Sequence, residues 1–138
     1  MRNNERMRSA EARLGRETGI WLSTVSPDGM PHMEPNWFVW LEGIMYVTIG
    51  TETQQWANLM DNQSIIASLP STDNVLIVEG VASVADRQTK DQLADYYYNK
   101  YGWDFTQDDS ADWRLVSITP NRILAWGDGY DHLGIRLL

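Results

Sequence analysis

The chain has 138 residues, 43% of them hydrophobic, no cysteine and a formal net charge of −8. That length fits one domain with its own core, and the lack of cysteine excludes disulfides, thiolate metal sites and cysteine catalysis. The acidic balance argues against a nucleic-acid partner, which needs many phosphate-neutralising contacts, and no segment is long and apolar enough to span a membrane.

The N-terminal stretch MRNNERMRSAEARLGRET is too polar for a secretory signal, so the cytoplasm is the expected compartment. Within it, residues 4–14 have helical composition, and Met7, Ala10 and Leu14 make one narrow apolar stripe that Gly15 is expected to end. Ile20 to Ser26 then predicts a strand. SPDG predicts a turn, because proline presets φ, aspartate bonds locally and glycine accepts positive φ.

His32 to Leu41 alternates and predicts a second strand. Met33, Pro35, Trp37, Val39 and Leu41 share one face, which the pattern assigns to the core. His32, Glu34, Asn36, Phe38 and Trp40 share the other, whose mixed polar and aromatic groups suit a ligand or partner. Pro35 lacks an N–H, which suits an edge or a bulge. LEGI is another turn, and Ile44 to Ile49 a third strand.

Thr53 predicts an N-cap for a short helix through Met60. Ser64–Leu69 and Val75–Val84 predict strands, the latter with Gly80 as a bulge. Residues 87–101 predict the best-patterned helix, with Leu93, Ala94, Tyr97, Tyr98 and Tyr101 on its apolar face. DFTQDDSAD reads as a solvated acidic loop, since it lacks the glycine and terminal glutamate of a calcium loop. Arg114 to Trp126 predicts a sixth strand, bent at Thr119–Pro120. The tail GDGYDHLGIRLL has no clear pattern. Six strands joined by tight turns, with helices between them, predict a mainly β domain in which an antiparallel sheet curls into a small barrel.

Little in the sequence points to side-chain catalysis. His32 and His132 are far apart and lack metal-ligand spacing. No G-x-S-x-G, Walker loop or G-x-G-x-x-G occurs. Hard chemistry would therefore belong to a cofactor. Seven tryptophans are present; they serve as core and subunit interface, or as walls for a planar ligand. GTETQQWANL, residues 50–59, places threonines at a helix start, where backbone N–H groups favour an anion even without lysine.

In this order, LSTVSPDGMPHMEPNWFVW, IMYVTIGTETQQWANL, LIVEGVASV and ITPNRILAWGDG resemble the pyridoxamine 5'-phosphate oxidase-like, FMN-binding split barrels. The likeness spans residues 5 to 129. Its most specific part is the strand–PDG–P-H-x-x-P-x-W-F combination with a later helix carrying N-L. The resemblance implies a six-stranded antiparallel split β-barrel and a homodimer with two flavin sites at its interface. It implies FMN as cofactor, a deazaflavin coenzyme in some branches, and hydride or electron transfer on a small molecule.

Carried over by position, Pro35, Asn36, Trp37 and Phe38 would approach the ring. Thr48, Ile49 and Gly50 would follow the ring and ribityl chain. Thr51, Thr53, Gln54 and Gln55 would meet the phosphate, with Asn58 bracing the helix. Trp126 would face the site from the partner subunit. Relatives place serine or threonine and then lysine or arginine at the positions of Thr53, Gln54 and Gln55. The two glutamines weaken the expected hold on a phosphate. Arg13, Arg16, Arg114 or Arg122 are the cations that could replace the lost charge. A neutral loop on an acidic chain is a poorer host for the anionic tail of a deazaflavin than for FMN. Arg136 is the only positive residue after Arg122, which argues against pyridoxine phosphate as substrate. The alternative is a binding protein of the same fold that carries deazaflavin, haem or no cofactor and does not turn over.

Overall fold

A computed structural model describes residues 3–127 and 135–136, with side chains described for 5–127. The elements are α1 (Asn3–Arg16), β1 (Ile20–Val25), β2 (Pro31–Asn36), β3 (Phe38–Leu41), β4 (Ile44–Gly50), α2 (Gln54–Asp61), β5 (Ser64–Ser68), β6 (Asn74–Val84), α3 (Arg87–Tyr101), β7 (Trp113–Gly127) and β8 (Ile135–Arg136). All strand pairings are antiparallel, in the order β2-β1-β5-β6-β7-β4-β3, with the short β8 on β7.

The two outer strands of that order, β2 and β3, are separated in the chain only by Trp37. A sheet whose two ends are covalently contiguous must curl back on itself, so the architecture is the expected mainly β split barrel. The strand count rises from the expected six to eight because the His32–Leu41 strand breaks at Trp37 and the short β8 adds to β7. Gly15 does not end the first helix, which runs on to Arg16.

Side chains from both ends of the chain fill the barrel. Leu14, Ile20, Leu22, Phe38, Val47, Ile49, Leu59, Leu76, Ile118 and Ile123 are among its core residues. A second, smaller core lies under α3, where Leu93 and Tyr97 meet Val39, Phe105 and Leu115. β3 and β4 are therefore buried on both faces, which explains why Phe38 and Val39 are buried in succession.

The face assignment of His32–Leu41 is corrected. Phe38 is 0% exposed and points into the barrel, while Met33 and Trp37, on the face expected to be core, are 60% and 47% exposed. Only the β3 end of that face is covered, by α3 packing over Val39 and Leu41.

The β3–β4 hairpin is a two-residue turn in which Glu42 and Gly43 both take positive φ, 52° and 80°, matching the sheet's twist. The expected irregularity at Gly80 is present, but the extra residue lies on the facing strand. Glu79 pairs with Arg122 and Gly80 with Pro120, so Asn121 bulges out of β7.

Candidate functional site

The break at Trp37 interrupts the backbone ladder, and α3 repairs it. Phe38 N donates to Tyr101 Oη at 3.0 Å. Phe38 O accepts from Lys100 Nζ at 3.0 Å and lies 2.9 Å from Tyr101 Oη. Tyr97 Oη lies 3.2 Å from Tyr46 O and 3.4 Å from Trp37 O. Freed backbone groups that cannot reach water need such partners. The Trp37 ring then stacks on Tyr101, with centroids 4.4 Å apart and planes 1° from parallel. One face of Trp37 is thus fixed to α3 and the other is left to the site.

Lys100 sits in this junction, with Nζ 3.9 Å from the centre of the Phe38 ring. Burial pulls its ammonium down to about 8 from an ordinary 10.5, against a smaller opposing effect of Glu17. Between those values the unfolded chain holds a proton that the folded chain has released, so stability climbs as pH rises. Tyr97 and Tyr101, raised by burial, act in the opposite sense once unfolded tyrosine ionises near pH 10.0. From pH about 8 towards 10, wild type should therefore gain stability relative to Lys100→Met. Urea midpoints across that window measure it, and a pH-independent difference would refute it.

Beside Trp37 opens a cleft of about 350 Å³ lined by Pro35, Asn36, Trp37, Thr48, Trp103, Asp108 and Trp113. Trp37 and Trp113 each stand nearly perpendicular to Trp103, at 78° and 86°, with centroids 5.6 and 5.2 Å away. Three such rings form walls rather than a stack. Asp108 accepts from Trp103 Nε1 at 2.8 Å. Hydrogen bonds from Ser110, then from Trp103, hold its carboxyl below the usual carboxylate range, so it is charged at neutral pH. Trp113 Nε1 adds weakly to that effect but lies outside hydrogen-bonding geometry. It is buried with no partner among the described residues.

The structure thus brings together four of the expected site residues, Pro35, Asn36, Trp37 and Thr48. It places the Phe38 and Ile49 side chains in the barrel core instead. Trp126 pairs with Val75. It is thirteen residues along β7 from Trp113, roughly 40 Å of strand, and it does not reach the cleft of its own chain. Trp103, Asp108 and Trp113 are new to the site. Their only sequence signal is a pair of tryptophans bracketing the acidic loop, which is not simply solvated, because Asp108 braces Trp103.

At the end of β4, Thr53 caps α2 as expected, with Oγ1 accepting from Trp56 N at 3.1 Å and donating to Gly50 O at 2.8 Å. Thr51 is tied to Asp112 through its N–H, 3.1 Å from Asp112 O, and its hydroxyl, 3.2 Å from Oδ2. The two glutamines part ways. Gln54 is exposed and donates to Asn58 Oδ1 at 2.7 Å. Gln55 is 1% exposed and forms a reciprocal amide pair with Asn36, at 3.1 and 2.9 Å. Asn36 also donates to Thr48 O at 3.3 Å, and buried Asn58 donates to Thr24 Oγ1 at 3.0 Å.

None of the arginines considered as substitutes for a basic clamp lines the cleft. Arg114 forks onto Asp112 through two bonds of 3.1 Å, and Arg13 pairs with Glu17 at 3.3 Å. His32 pairs with Glu34 at 2.8 Å. Among the described residues no group of three metal-ligating side chains occurs. His132 and most of the GDGYDHLGIRLL tail lie outside the described residues.

Residues 8–127 match the family model for pyridoxamine 5'-phosphate oxidase. No curated protein matches the sequence significantly. Solved structures share the fold at low identity. An F420 reductase is 24% identical with a TM-score of 0.66, over 82% of this chain and 94% of that one. General Stress Protein 26 from Bacillus anthracis is 19% identical with a TM-score of 0.69, over 94% and 98%. A heme binding protein from Mycobacterium smegmatis is 16% identical with a TM-score of 0.74, over 94% of this chain and 57% of that one. With the family match running from α1 to the end of β7, and the split barrel to go with it, the chain belongs to the pyridoxamine 5'-phosphate oxidase family.

Proposed function

We propose that the cleft holds the ring of a flavin, FMN, and that the protein passes hydride or electrons between it and a small molecule. The observation that carries this reading is the cleft itself, an aromatic recess at a strand end, adjoining the capped start of α2. Trp37 and Pro35 offer flat apolar surface to a ring. The bound flavin would supply the redox chemistry. The protein's own residues would orient it and keep water from the ring.

The phosphate would meet the first-turn N–H groups of α2, which have no partner within the helix. The loop before them carries no lysine or arginine, and Glu52 precedes the cap while Asp112 accepts from the Thr51 hydroxyl. A charged donor contributes ~1.5–3 kcal/mol against roughly 1 for a neutral one, so FMN would bind about one to two orders of magnitude more weakly than with a basic clamp.

The homodimer is part of the same proposal. On the outer face of β2-β1-β5, exposed Met33 and Ile66 flank Ser23, and Pro35 lies beside exposed Trp21. That apolar face runs on to Trp37 at the cleft, so a second subunit covering it would reach the site.

A second reading has an observation of its own. No lysine or arginine lines the cleft, and an ionised aspartate does. A binding protein of the same fold that holds another flat ligand, or none, without turnover fits the missing basic clamp, although the anionic tail of a deazaflavin and the propionates of haem would find no cation in that lining. The F420 reductase and the heme binding protein share this fold, so fold alone does not choose.

The test is a titration of tryptophan fluorescence with FMN and with riboflavin, alongside the absorption spectrum of the purified protein. Both ligands should quench, with affinities within about tenfold of each other, since the phosphate meets no cationic side chain. Gln54→Lys should widen that ratio in favour of FMN by roughly tenfold. An unchanged ratio would place the phosphate elsewhere. A colourless protein that neither ligand quenches at high micromolar concentration would remove the flavin reading.

A further inference from the structure

The inner end of the cleft has a chemistry of its own. Trp103 stands at 86° to Trp113 and at 78° to Trp37, and all three rings line the cleft, so indole surface makes up much of its wall. Aromatic faces carry negative quadrupole density and attract cations, quaternary ammonium groups above all. Asp108 adds a formal negative charge at the same wall. The net charge of −8 favours the approach of cations over anions.

Two further features narrow the ligand. Asp108 already accepts from Trp103 Nε1, so that N–H is satisfied. Trp113 Nε1 is buried without a partner among the described residues. A buried donor without an acceptor is costly, and a ligand atom that accepts would remove the cost. No lysine or arginine lines the recess to repel a cation or to neutralise Asp108.

We propose that the part of the cleft walled by Trp103 and Trp113 and charged by Asp108, beside the surface that Trp37 and Pro35 offer to the flavin ring, binds a small organic cation carrying a hydrogen-bond acceptor, as the reaction partner at this site. This rests on the cleft being the ligand site proposed above, and it names the substrate class that the cleft selects. The cation lies against the indole faces, Asp108 supplies the counter-charge, and Trp113 Nε1 donates to the acceptor.

Choline and 3,3-dimethylbutan-1-ol test it, being close in shape and both hydroxylated, with only the first charged. Tryptophan fluorescence is titrated with each, on protein with and without added FMN. Choline should bind at least about tenfold more tightly than the alcohol. Asp108→Asn, which keeps an acceptor for Trp103, should bring the two affinities close together. Trp113→Phe should weaken choline more than tetramethylammonium, which has no acceptor and loses only part of its cation–π contact.

Equal binding of choline and the alcohol, tighter binding of the alcohol, or no choline binding in either state overturns the proposal. The wild-type comparison decides this even if a variant fails to fold. Choline preference in a protein that does not bind FMN leaves the cation assignment standing and removes the flavin. FMN binding without choline preference does the reverse.

Discussion

Gly80→Ala is expected to destabilise the barrel by ~3 kcal/mol, lowering the thermal midpoint by roughly 10 °C. A Cβ built on Gly80 would lie 2.4 Å from Thr119 O and 3.0 Å from both Thr119 C and Ile118 Cγ2. The nearest atoms are backbone, so no rotamer change relieves the contact. Relief would require β6 and β7 to separate, and these strands share the longest pairing in the sheet, from Asn74 to Val84. The close approach arises from the bulge. Asn121 adds one residue to β7 at the register shift, and Thr119 lies against Gly80. Gly15→Ala is the control, because a Cβ there meets nothing within 4 Å. In an exposed helical turn that change should stabilise by ~0.5 kcal/mol. Thermal unfolding followed by circular dichroism compares the two. Equal midpoints for both variants would mean the strands do not meet closely at Gly80.

Much of the fold was legible because local signals agreed with the global one. α3 spans the expected residues, for Asp86 caps it by accepting from Thr89 N and Gly102 ends it at φ 67°. Thr53 caps α2 for the same kind of reason. The failures share a cause too. The alternation of His32–Leu41 gives two faces but not which one turns inward. Apolar content favoured Met33, Pro35 and Trp37, yet the barrel takes Phe38 on the opposite face and satisfies Asn36 with a distant amide. Phe38 and Ile49 were expected near the ring from the family resemblance. Their side chains point into the barrel, so only their neighbours Trp37 and Thr48 face the cleft. Trp103, Asp108 and Trp113 come from a loop whose composition says nothing about which wall it covers. That loop packs beside Trp37 because Tyr97 and Phe105 join them in one aromatic cluster, a relation between residues some sixty positions apart that no local period encodes.

Gln54 and Gln55 look equivalent in the sequence but stand about 100° apart on the helix, and their lysine variants should behave oppositely. Gln54→Lys changes an exposed side chain and should alter stability by less than ~0.5 kcal/mol. Gln55→Lys should cost about 3 kcal/mol or more, because it places a charge in a site that is 1% exposed. Lysine can donate to Asn36 Oδ1 in place of the glutamine amide, but it cannot accept. Asn36 Nδ2 then keeps only the 3.3 Å bond to Thr48 O. Desolvation depresses the pKa of such a lysine, so the unfolded chain binds more protons and the lost stability returns as pH rises towards the ordinary lysine value. Urea midpoints for both variants, across neutral to alkaline pH, test this. A Gln55→Lys protein as stable as Gln54→Lys at neutral pH would mean that the Asn36–Gln55 pair is open to water. The same variant also reports on the cofactor. An FMN phosphate held at the start of α2 would pair with the new ammonium and stabilise the folded state by mass action. FMN should then restore the midpoint where riboflavin, with no phosphate, does not. Equal recovery with both would show that the ring binds and that its phosphate lies away from α2.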